Sequence, residues 1–163
     1  MPSVELDGVR LHYSDSGAGP CVFWNTGGGG DGRMWSLAQY TAALPTYRHL
    51  ALDHRGHGRS DRPTRLEEHR IEEYVADVLA VLDHAGVDRA VFVGYSAGGT
   101  VGLRGHGRGR WRRRRRNRRA VDGGRRLIIG AVGPAHRGPE SARWTLARAA
   151  VRSGGGRCRP KRW

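Results

Sequence analysis

Residues Gly94-Tyr95-Ser96-Ala97-Gly98 set a serine between two glycines, directly after the apolar run Ala90-Val91-Phe92-Val93. The pattern G-x-S-x-G carries chemistry when a strand precedes it and a helix follows. The serine then sits in a strained strand-to-helix turn, where side chains at the flanking positions would collide with neighbouring backbone. Such a turn presents the Ser96 hydroxyl at the carboxyl end of the strand, with the Ala97 N–H aimed at the same point. A hydroxyl that attacks a carbonyl carbon also needs donors for the oxyanion, and one usually comes from the loop after an earlier strand. Asn25-Thr26-Gly27-Gly28-Gly29-Gly30 lies in that place, and N–H groups in a glycine run can approach a substrate closely. Gly27 or Gly28 is therefore the candidate second donor.

The elements needed to position these groups are legible around them. Val4 to Gly17 alternates apolar and polar residues about Asp7-Gly8, as a β-hairpin with a tight turn does. Cys21-Val22-Phe23-Trp24-Asn25-Thr26 reads as a buried strand, and Met34 to Leu44 has apolar residues at helical spacing before Pro45. Arg48 to Pro63 reads as a short strand followed by a glycine-rich turn. Ile71 to Gly86 is the strongest helix, with Tyr74, Val75, Val78, Leu79 and Leu82 on one face and Gly86 as its stop. Strands without alternation, separated by amphipathic helices, predict an α/β fold: a mostly parallel sheet covered by helices on both faces.

Three features in order carry a resemblance: the glycine-rich loop after the strand at Cys21, the turn Asp53-His54-Arg55-Gly56-His57-Gly58-Arg59-Ser60, and the Ser96 turn. Residues 4–103 resemble the N-terminal part of an α/β-hydrolase-fold protein, whose D-x-R-G-x-G-x-S turn the middle segment matches. Asn25-Thr26 stands where that family often has His-Gly. The resemblance implies a serine hydrolase of esterase type: Ser96 as nucleophile, Ala97 with Gly27 or Gly28 as the oxyanion hole, and no cofactor. It also implies a small ester-like substrate, cleaved through an acyl-enzyme. An acid and a histidine should follow the serine, in that order, from loops after later strands. Only 67 residues remain after Ser96. Asp122 and His136 have the right order, but Asp122 precedes the strand expected at Leu127 to Val132, so both read better as solvated loop residues.

From Arg104 onward the pattern breaks. Residues 1–103 hold nine arginines against thirteen Asp and Glu, net −4, whereas residues 104–163 hold twenty Lys and Arg against two acids, net +18. The Arg104 to Arg126 stretch has no apolar period, and five consecutive arginines repel one another too strongly to form a packed face. Two origins fit it. One is a basic arm that binds nucleic-acid phosphates without reading sequence, with Trp111 available for stacking. The other is a disrupted reading frame, because CGG codons shifted by one base become GCG or GGC, and an Ala-rich helix is what should follow the Ser96 turn. The expectation is a truncated or frame-disrupted hydrolase with little or no activity, the basic segment after the serine turn disordered. Its segments are 1–103, a low-complexity stretch 104–126, a strand and helix at 127–155, and a tail at 156–163.

Other conspicuous residues have plainer readings. His54 and His57 beside Asp53 and Asp61 suggest a metal, but the turn is a structural landmark, so no metal site is expected. Asp77, Asp83, His84 and Asp88 are expected on a solvated helix face, and Trp24, Trp35 and Tyr40 in the core or a pocket wall. Two cysteines make no disulfide framework, and no basic leader or spanning apolar run is present, so the sequence reads as cytoplasmic and not membrane-bound.

Overall fold

The computed structural model describes residues 1–107 and 126–132. Strands β1 (Ser3–Leu6) and β2 (Val9–Ser16) form an antiparallel hairpin in which Leu6 pairs with Val9. Only Asp7 and Gly8 make the turn, at φ 51° and 78°. Two positive φ values are what a two-residue hairpin turn needs to match the strand twist. Four further strands follow: β3 (Cys21–Asn25), β4 (Arg48–Leu52), β5 (Arg89–Tyr95) and β6 (Arg126–Val132). They run parallel to one another in a six-stranded sheet of order β1-β2-β4-β3-β5-β6. The sheet is mixed and mostly parallel, as expected.

Helix α1 (Arg33–Leu37) lies between β3 and β4, α2 (Ile71–His84) between β4 and β5, and α3 (Ala97–Gly107) between β5 and β6. Strand β3 is buried along its whole length, so its alternate residues feed two cores. Cys21 and Phe23 join Leu50, Leu52 and Phe92 and meet the α2 residues Val75, Val78, Val81 and Leu82. Val22 and Trp24 face the other way, with Ala51, Val93 and Trp35 of α1. Phe23 and Phe92, in register on neighbouring strands, stack with centroids 5.6 Å apart.

Two expectations about elements change. The helix expected over Met34 to Leu44 ends at Leu37, because Gln39 takes a φ of 62°, which no helix continues through. Successive turns carry Tyr40 back onto Trp24 and Trp35, so the apolar spacing serves packing without serving a helix. The helix after Ser96, which the break in pattern at Arg104 left without support, extends to Gly107. It sits close on β5: a Cβ on Gly102 would come within 2.6 Å of the Phe92 ring. Strand β6 pairs with β5 from Arg89 opposite Arg126 to Tyr95 opposite Val132. The expected helix at Pro139 to Ser153, most of the basic stretch, Asp122 and His136 lie outside the described residues.

The sheet order fixes where a site can form. From β3 the chain steps to β4 on one side, then crosses to β5 on the other. The carboxyl ends of β3 and β5 therefore lie at a topological switch point, where connections leave in opposite directions and open a crevice.

Candidate active site

Ser96 stands at that crevice, solvent-exposed between the end of β5 and the start of α3. Its φ is 53°, a left-handed conformation that L-residues rarely adopt. The flanking glycines make the turn sterically feasible. A Cβ on Gly94 would lie 2.6 Å from the Gly99 nitrogen, and one on Gly98 would overlap the carbonyl oxygens of Asn25 and Thr26. The Ser96 carbonyl accepts the first helical bonds, from Gly99 at 2.9 Å and Thr100 at 3.3 Å. Ala97 is thus the first residue of an eleven-residue helix. Its N–H belongs to the opening turn, whose amides have no intrahelical acceptor and lie at the positive end of the helix dipole.

The glycine loop comes to the same place. A Cβ on Gly27 would lie 2.8 Å from Ser96 Cβ and 3.3 Å from Ser96 Oγ, so any larger residue there would press on the serine. Gly30 N–H donates to the Gly27 carbonyl at 3.5 Å, closing a turn whose third residue, Gly29, has φ 80°. Gly28 is exposed at its tip. Of the residues singled out in the sequence, Ser96, Ala97, Gly27 and Gly28 are therefore brought together. Asn25, quoted there only as part of the loop, has a distinct part: its side-chain amide donates to the Gly98 carbonyl at 3.2 Å and ties β3 to the serine turn. Nothing in a single sequence marks that role.

The turn Asp53 to Ser60 is a hub whose polar side chains reach several elements. Asp53 accepts from Gly32 N–H at 2.7 Å and Arg59 N–H at 3.0 Å, fixing the entry to α1. Ser60 donates to the Asp53 carbonyl at 2.5 Å and accepts from His12 N–H on β2 at 2.8 Å. Arg55 makes a bidentate pair with Asp77 of α2, at 2.8 Å and 2.6 Å, and also donates to the Glu68 carbonyl. Against the desolvation that burial imposes, these bonds to Asp77 raise the Arg55 pKa and keep it charged.

Asp77 was expected in solvent and is wholly buried. A carboxylate can occupy the inner face of α2 because Arg55 supplies both bonds it needs. Asp83, His84 and Asp88 are exposed, and Trp24 and Trp35 are core, as expected. His54 is buried edge-on against Tyr74, and burial lowers its pKa to about 4, with His57 adding to the effect. Among the described residues, no imidazole is hydrogen-bonded to Ser96, and no group of three or more His, Cys, Asp or Glu could hold a metal ion. No helix among them is long and apolar enough to cross a membrane.

A mostly parallel sheet carrying a serine at positive φ, at the carboxyl end of a strand and the start of a helix, defines an α/β protein with a sharp strand-to-helix turn at its switch point. The family model for the alpha/beta hydrolase fold matches residues 20–104, just over half of the chain. The chain belongs to this family. It is 34% identical over 94 residues to bifunctional epoxide hydrolase 2 of Sus scrofa, covering 58% of this chain and 17% of that protein. It is 35% identical over 105 residues to a putative carbamate hydrolase, RutD, of Caulobacter sp. strain K31, covering 63% and 38%. Among solved structures, Est816, described as an N-acyl homoserine lactone degrading enzyme, matches with TM-score 0.61 and 35% identity over 80% of this chain and 45% of that one. The chain thus spans less than half the length of these relatives.

Proposed function

We propose that this chain carries the nucleophile and oxyanion side of an acyl-transfer site of serine-hydrolase type, acting on small carboxylic esters or related acyl compounds. Ser96 is the nucleophile, and the N–H groups of Ala97 and of Gly27 or Gly28 receive the oxyanion. The observation that carries this reading is the strained φ of Ser96 at the crevice, with Gly27 against its hydroxyl. Strain of this kind persists where the surroundings enforce it.

The chemistry of the nucleophile narrows the substrate. A serine oxygen that attacks an ester, lactone or carbamate carbonyl forms an acyl-enzyme that water can open, returning the hydroxyl. Attack on an epoxide carbon would leave an ether, which water does not cleave, and the enzyme would stop after one event. Among the activities named for the relatives, the carbamate and lactone chemistries suit Ser96 and epoxide opening does not.

Turnover also needs a base for the serine proton, and the described residues put none beside Ser96. Asp122 and His136 are the sequence's candidates and lie outside those residues. The chain as written is therefore proposed to have little or no turnover. Phenylboronic acid tests the site without a full cycle, because boron accepts the serine oxygen and forms a tetrahedral anion resembling the intermediate. Amide shifts at Gly27, Gly28 and Ala97 that vanish in Ser96→Ala are expected; identical shifts in both proteins would overturn the reading. Nucleic-acid binding through Arg104–Arg126 rests on composition alone, and the structure pairs Arg104 with Glu72 of α2 at 3.0 Å.

A further inference from the structure

The glycine loop is held from outside by a residue that the proposed chemistry does not use. Gly29 N–H donates to His57 Nε2 at 3.1 Å, and His57 Nδ1 lies 3.1 Å from the Arg55 carbonyl. An N–H can only donate, so Nε2 must be the unprotonated nitrogen; a carbonyl can only accept, so Nδ1 must carry the hydrogen. The two contacts independently demand the same neutral tautomer. The Arg55 carbonyl is itself a fixed point, because the Arg55 side chain is locked into the bidentate pair with Asp77 and the bond to Glu68. A chain of bonds therefore runs from α2 through Arg55 and His57 to the tip of the loop that touches Ser96.

From this we infer that His57 is a positioning residue for the oxyanion loop, fixing the Gly27–Gly30 turn over Ser96 through its Nδ1–H tautomer. The inference rests on the reading of Ser96 as an acyl-transfer site. Gly29 follows Gly28 directly, and both central residues of the turn are glycines, which hold no preferred conformation of their own. An external bond at Gly29 supplies the order that the glycines lack. Without it, the loop N–H groups would sample several directions and lose part of their hold on a developing oxyanion, as displaced donors do.

The test uses the full chain at mildly alkaline pH. In the unaltered protein, imidazole 15N shifts should give the Nδ1–H tautomer for His57, and the Gly29 amide should exchange slowly. His57→Phe keeps a ring but removes the acceptor, whereas in His57→Gln the side-chain carbonyl can replace Nε2. His57→Phe should speed Gly29 exchange and weaken phenylboronic acid binding by about fivefold to tenfold, the loss of one modest hydrogen bond. His57→Gln should restore both. An Nε2–H tautomer in the unaltered protein would overturn the inference without any variant. So would unchanged Gly29 exchange in His57→Phe, or accelerated exchange with unchanged boronate affinity. If the unaltered protein and Ser96→Ala respond alike to the boronate while the tautomer and exchange results hold, the reading of Ser96 fails instead. The positioning role then falls with it, although the bond itself stands.

Discussion

A serine held at φ 53° opposes folding by about 1–2 kcal/mol, a cost that glycine does not share. Ser96→Gly should therefore leave the fold at least as stable, with a gain of about 0.5–1 kcal/mol after the extra chain entropy of glycine, measured by urea unfolding. A loss above about 1 kcal/mol would mean that the turn is not strained. His54 makes a separate statement in pH. Its folded pKa of about 4 lies below the ordinary 6.5, so the unfolded chain takes up the proton more readily. The contribution is complete above pH 6.5 and is lost as pH falls towards 4, about 3 kcal/mol in all. His54→Phe should flatten the pH dependence across that window; an unchanged slope would contradict the burial of a neutral imidazole. Ser96 was legible because two glycines and a preceding strand constrain it locally. Asp77 was not, because its partner lies 22 positions earlier and nothing in the helix pattern reveals which acid turns inward.

At the scale of elements, Arg55 and Asp77 weld the turn after β4 to α2. Removing one partner leaves a buried charge alone, so Asp77→Ala should cost about 3–5 kcal/mol, while Arg55→Met with Asp77→Leu together should cost far less. Equal losses in the single and double variants would show that the pair's shape, and not its charge, is what α2 requires. Gly98→Ala should also fail to pack, because its methyl would overlap carbonyls at the end of β3. The sequence located β1 to β6 and α2 well, since their apolar patterns match strand and helix periods. It misjudged the stretch after Met34, where Gln39 reverses the chain while aromatic rings still pack at helix-like spacing. It also gave no support to the end of α3, whose Arg and Gly residues carry no apolar signal; the helix as a whole packs on β5 and α2, and Arg104 pairs with Glu72 of α2.

For the whole molecule, the division of charge matters beyond the site. With net +18 after residue 103 against −4 before it, the full chain should bind polyanions whether or not Ser96 is present. The logarithm of that affinity should fall linearly with the logarithm of salt concentration; a salt-independent affinity would exclude simple phosphate pairing. The proposed acyl-transfer site lies instead in the acidic part of the chain, at the crevice that the strand order opens. Such a site requires Ser96 and the loop at Gly27 to share one oxyanion. The most direct measurement is the amide spectrum of the full chain titrated with phenylboronic acid, alongside Ser96→Ala. Saturable shifts at Gly27 or Gly28 and at Ala97, absent from the variant, are predicted. Shifts confined to other regions, or retained without the serine hydroxyl, would contradict the account.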